Sequence, residues 1–114
     1  MVPFDTSILD AVISRKRKNL ETERQRLLQV VKDSLFSIQK KYQVKEAYIV
    51  GSLLFPLKWW FSSDIDVAIS GTSNHILEIM KDLENATDKE VDVIDLDHHP
   101  HREIIITRGI KVYG

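Results

Sequence analysis

The 114-residue chain contains no cysteine, which rules out a disulfide framework and any metal site built on thiolate ligands. It has no apolar run long enough to span a bilayer. It has no repeats and no low-complexity tract. Its N-terminal stretch "MVPFDTSILDAVISRKRK" places the basic cluster after the apolar residues, the reverse of a secretory signal, so a cytoplasmic protein is expected. There is little excess charge either: the net value is −1, and 29% charged against 43% hydrophobic residues is the balance of a globular domain. The length fits a single domain, 1–114, with a helical segment over 1–43 and an α/β core over 44–114.

The charge is unevenly shared. Residues 1–43 carry nine Lys/Arg against five Asp/Glu, and residues 44–114 carry seven against twelve. The basic half mixes both signs, so it reads as a solvated helix and no nucleic-acid partner is expected. The acidic half either faces water or gathers carboxylates for cations.

Hydrophobic periodicity predicts a helix from residue 6 to about 41, capped by Asp5 or Thr6, with Leu20, Leu27, Val31, Leu35, Ile38 and Tyr42 on one face. So long a helix is unusual in a small domain, and a break is expected near "RKRKN" (15–19). The first turns carry a separate apolar face, Ile8, Leu9, Val12 and Ile13, which packs on the chain's own core or meets another protein. "EAYIV" (46–50) and "DIDVAIS" (64–70) read as strands. "TSNHILEIMKDLENA" (72–86) reads as an amphipathic helix capped by Thr72 or Ser73, burying Ile76, Leu77, Met80 and Leu83. "EVDVIDL" (90–96) suits a strand covered on both faces, "HPHREIIITRG" (99–109) a short helix stopped at Gly109, and "IKVY" (110–113) a last strand. The fold class is α+β.

Asp64 and Asp66 are two apart on a strand, so their carboxylates project to the same face and repel. Aspartate is also disfavoured in strands. A pair standing there at a stability cost suggests a hard-cation site such as magnesium. Asp92, between two valines on the third strand, can join them; Asp95 and Asp97 are its competitors. Gly51-Ser52 follows the first strand directly. Glycine permits a sharp turn and close backbone approach, and the Ser52 hydroxyl with free backbone N–H groups can donate to phosphate. "DLDHHPH" (95–101) holds His98, His99 and His101, but the spacing matches no metal motif and reads as a polar loop.

Strand, Gly-Ser, a gap, Asp-x-Asp on a second strand and a lone Asp on a third resembles the nucleotidyltransferase superfamily that includes DNA polymerase beta. The small size resembles its minimal branch, the antitoxins paired with HEPN-domain toxins, over about residues 25–114. The resemblance implies a short mixed sheet flanked by helices. It implies ATP and two Mg²⁺ as cofactors, with Gly51 and Ser52 cradling the triphosphate and Asp64, Asp66 and Asp92 as catalytic metal ligands; Lys58 and Ser63 join the nucleotide site. It further implies transfer of AMP to a tyrosine of a HEPN-domain toxin, an RNase, which is silenced. Two features depart from that pattern, one being the gap from Ser52 to Asp64, which holds eleven residues against a commoner ten. The family's loop after Gly-Ser is usually polar and rich in arginine, whereas here it is "LLFPLKWWFSS", with Lys58 its only charge. Lys58 then stands in for the arginines as a point charge; the alternative is a weak or inactive relative that neutralises its partner by binding. Trp59 and Trp60 fill the core, contact the partner or stack on adenine.

Overall fold

The computed structural model describes residues 7–114. Helix α1 (Ser7–Tyr42) leads into β1 (Glu46–Val50) and β2 (Ile65–Ser70), then α2 (Ile76–Thr87), β3 (Val91–Asp95), α3 (Arg102–Arg108) and β4 (Ile110–Tyr113). The four strands lie in the order β3-β2-β1-β4. β1 runs antiparallel to β2 and β4, and β2 runs parallel to β3 through the α2 crossover. This is the mixed sheet flanked by helices that the sequence predicts.

Side chains alternate across the sheet and build two apolar layers. Ala47, Ile49, Ile65, Val67, Ile69 and Val91 face α1 and α2, meeting Leu27, Val31 and Leu35 of α1 and Ile79 and Leu83 of α2. Tyr48, Val50, Ala68 and Leu96 face the other way, where Ile94 and the α3 residues Ile105 and Ile106 cover them. The even-numbered residues of β2 and β3 therefore look toward α3.

Helix α1 is unbroken through residues 15–19, contrary to the expected interruption. No glycine or proline falls within it, and bidentate pairs Glu21–Arg24 and Glu23–Arg26 brace successive turns. The proposed cap at Asp5 or Thr6 lies outside the described residues. Leu20, Leu27, Val31, Leu35 and Ile38 are buried as expected, each contributing about 1.5–3 kcal/mol. Residues 7–19 are all exposed, so among the described residues the face made by Ile8, Leu9, Val12 and Ile13 is left largely open.

Two further differences have simple causes. Residues Ser73–His75 form a 3-10 turn, so α2 begins at Ile76 and neither Thr72 nor Ser73 makes a side-chain cap; the Thr72 hydroxyl is buried without a partner. Within α2 the buried face is set by Ile79 and Leu83, and Leu77, about 200° round the helix from Ile79, turns outward, against its expected burial. Strand β3 ends at Asp95, and Leu96 packs from a 3-10 turn that follows it.

Candidate functional site

The parallel pairing of β2 and β3 sets Asp66 directly opposite Asp92. Their parity is that of Ala68 and Ile94, so both side chains stand on the α3 face of the sheet. Asp64, just before β2, has the same parity and is exposed. The Asp66 carboxyl is pushed up from its ordinary 3.8 to about 6, first by burial, then by the charge and hydrogen bond of Asp92, and by the charge of Asp64. The three carboxylates thus share one electrostatic neighbourhood, and the middle one holds its proton to a higher pH than an ordinary aspartate. Among the described residues no three acidic or imidazole side chains are already drawn together as a metal-holding group. The close pair is Asp66 and Asp92, with Asp64 at the rim.

Gly51 occupies the one conformation that fits beside this pair. Its φ is +77°, and a Cβ there would collide with Oδ2 of Asp66. Gly51–Leu54 then winds into a 3-10 turn, closed by Phe55 N–H donating to the Ser52 carbonyl at 3.0 Å. The turn is pinned from α1. The buried Arg24 guanidinium donates to the Leu53 carbonyl at 2.9 Å while holding Glu21 through two hydrogen bonds, and Leu53 itself is fully buried. Nothing in the spacing of the sequence announces Arg24 as the anchor of a turn 29 residues away.

Beside this turn opens a cleft of about 650 Å³, within the range of small-ligand sites, lined by Val50, Gly51, Ser52, Phe55, Lys58, Ile104, Ile105 and Arg108. Of the residues expected to hold a nucleotide, Gly51, Ser52 and Lys58 are therefore together. Ser63 is elsewhere in the loop, its hydroxyl accepting from Trp60 N–H at 2.9 Å and its own N–H donating to the Trp60 carbonyl. Arg108 was missed by sequence reasoning. It sits in the last turn of α3 and brings to the cleft a guanidinium with no ion-pair partner among the described residues. Its only sequence signal is its place one residue before the helix-stopping Gly109.

The two tryptophans part company. Trp59 is 2% exposed in the α1-side core with Lys89 Nζ over its ring, while Trp60 is 59% exposed. Phe55, Leu57 and Phe61 are exposed as well. The competitors of Asp92 are committed at the far end of the sheet. Asp95 bonds His98 and the Asp97 N–H, and Asp97 accepts from the Gly71 N–H at 2.7 Å. His98 Nδ1 is the contact atom for both Asp95 and Ser73, so the ring does not link them as a relay, and the polar-loop reading of this cluster stands.

The polymerase beta nucleotidyltransferase family matches residues 34–114, well over half of the chain. The protein belongs to that family. A comparison with curated proteins gave no match. Among solved structures, a toxin–antitoxin complex with AMP-PNP contains a chain of similar fold, with TM-score 0.60 and 21% identity, covering 73% of this chain and 73% of that one. The toxin–antitoxin MntA-HepT gives TM-score 0.56 at 20% identity, over 75% of this chain and 72% of that one. A structure from Shewanella oneidensis gives 0.55 at 22%, over 75% and 71%. These likenesses show the nucleotidyltransferase fold, which is the fold the motifs imply. No helix among the described residues is long and apolar enough to cross a membrane.

Proposed function

We propose that this nucleotidyltransferase moves AMP from ATP to a tyrosine hydroxyl of a HEPN-domain toxin and so silences it. The observation that carries this reading is the Asp66–Asp92 register pair, with Asp64 at its rim, set against the glycine turn of a cleft that holds Lys58 and Arg108. The all-oxygen donor set and the crowding of negative charge around Asp66 both fit magnesium, which Asp64, Asp66 and Asp92 would hold. When bound there, the ions lower the acceptor's pKa and neutralise the leaving pyrophosphate.

The chain's own residues have separable tasks. The Gly51-Ser52 turn offers donors to the triphosphate, and Lys58, the loop's only charge, and Arg108 from α3 supply the positive charge. Ile104, Ile105 and Phe55 give the cleft an apolar wall suited to a base. The tyrosine oxygen attacks the α-phosphorus, the α–β anhydride bond breaks, and pyrophosphate departs. The tyrosine proton passes to the carboxylate side, where Asp92 is the most exposed member of the close pair. Toxin–antitoxin complexes of the same fold, one with AMP-PNP, support the partner and nucleotide classes.

A second reading is neutralisation by binding alone, favoured by the exposed Leu57, Trp60 and Phe61 on the loop. Labelled ATP with a HEPN-domain toxin as acceptor separates the two. Transfer of label that Asp64→Asn and Asp66→Asn abolish is expected. A partner silenced equally well by the wild type and by both variants, without label, would leave only the binding reading.

A further inference from the structure

At about 100° per residue, Leu9, Ile13, Leu20, Leu27, Val31 and Ile38 fall within about 20° of one line along α1. The domain covers that line from Leu20 onward and leaves Leu9 and Ile13 open, 49% and 43% exposed. The uncovered stretch also lies before the family-matched residues 34–114. Where coverage stops, a groove of about 360 Å³ opens between α1 (Arg17, Leu20, Glu21) and the loop (Pro56, Leu57, Trp60). Leu57 is 95% exposed there. Lys16 and Arg17 rim the stripe on its two sides, and among the described residues none of Arg15, Lys16, Arg17 and Lys18 forms an ion pair. Open stripe and groove therefore form one strip along α1, with Lys16 and Arg17 where the two meet and Glu21 at the groove.

We propose that this strip is the docking site for the partner: a helix of the HEPN-domain protein, with an apolar face bordered by Asp and Glu, lies along residues 9–20 of α1 and sets a side chain between Leu20 and Trp60. The inference rests on the partner named above and adds where it binds.

A second copy of the chain fits the strip poorly. Pairing residues 8–13 with themselves antiparallel overlaps under two turns, far short of the roughly 1,200 Å² of a stable interface. Sliding the copies further, so that each reaches the other's groove, brings the two Arg15–Lys18 clusters side by side. A membrane surface is flat, whereas the groove is concave and asks for a shaped ridge. The same loop carries Phe55 and Lys58 into the nucleotide cleft, so a partner seated on Leu57 and Trp60 is brought beside the reacting centre.

The test uses the full chain, the HEPN-domain toxin proposed above as its acceptor, and Leu9→Glu, Ile13→Glu and Leu57→Asp, all at exposed positions outside the cleft. Circular dichroism checks that each variant folds. Each variant is expected to weaken the complex at least tenfold and to raise KM for the partner by a similar factor, with kcat unchanged. The affinity of the wild type is expected to fall with salt. Unchanged affinity and KM, with transfer still dependent on Asp66, would overturn the docking site and leave the transferase reading intact. Failure of the wild type to bind this protein would overturn both. A concentration-dependent dimer lost in the variants would assign the strip to a second copy. Co-sedimentation with phosphatidylcholine–phosphatidylserine vesicles, lost in the same variants, would assign it to a membrane. Either result overturns the proposal.

Discussion

The carboxylate end of the sheet and the first turns of α1 are both open in the isolated chain, yet they carry opposite surfaces. At the first, Asp66 and Asp92 crowd like charges; at the second, Ile8, Leu9, Val12 and Ile13 present aliphatic groups to water. Carboxylate crowding is a cost within the fold, felt through protonation, and a cation relieves it. The exposed aliphatics cost the fold little, because the helix continues into a covered segment and they gain only when another surface meets them. Substitutions should therefore raise fold stability at the first site and leave it unchanged at the second, while each removes a different function.

The largest effect is expected at Asp66. Asp66→Asn should lower AMP transfer on the order of 10³-fold or more through loss of metal-assisted catalysis. It should also raise the Tm of the metal-free protein by a few degrees at pH 7. The folded carboxyl, near 6, holds its proton more tightly than an ordinary one at 3.8, so wild-type stability falls as pH rises between those values. The Tm difference should accordingly vanish below about pH 4, as thermal melts across pH will check. Next come the two halves of α1. Leu27→Ala, fully buried, should cost about 2–5 kcal/mol in urea melts, whereas Leu9→Ala should stay within about 0.5 kcal/mol. Equal costs would mean that the open stripe is covered after all.

Arg24→Ala should cost about 1–3 kcal/mol, since it leaves the Leu53 carbonyl buried without its donor, and should raise KM for ATP by loosening the Gly51-Ser52 turn. The smallest effect is expected at Arg108→Gln. KM for ATP should rise several-fold with little change in Tm, because the guanidinium has no ion-pair partner among the described residues.

Much of this was legible from local pattern. The alternation in "DIDVAIS" sets Asp64 and Asp66 on one face, and Gly51-Ser52 marks a tight turn after a strand, with no tertiary information. Asp92 was legible as one candidate beside Asp95 and Asp97, and the family pattern singled it out, because its meeting with Asp66 depends on β3 pairing beside β2 in one register. Arg108 and Arg24 were not legible. Each reaches its site across an interface between elements far apart in sequence, and an arginine on an amphipathic helix looks alike whether it faces solvent or a cleft. The neighbouring tryptophans teach the same limit, since composition cannot say which of Trp59 and Trp60 the loop turns inward. The unbroken α1 overrode an expectation drawn from domain size, for no residue in it opposes helix.

The central claim is that the aspartates at 64, 66 and 92 act together on a metal-bound nucleotide. The most direct measurement is the melting temperature of the full chain with Mg²⁺ and AMP-PNP, added singly and together, in the wild type and in Asp66→Asn. A Tm rise in the wild type that needs both components and is absent in the variant is predicted. A rise of equal size in the variant, or none in the wild type at saturating ligand, would contradict the account.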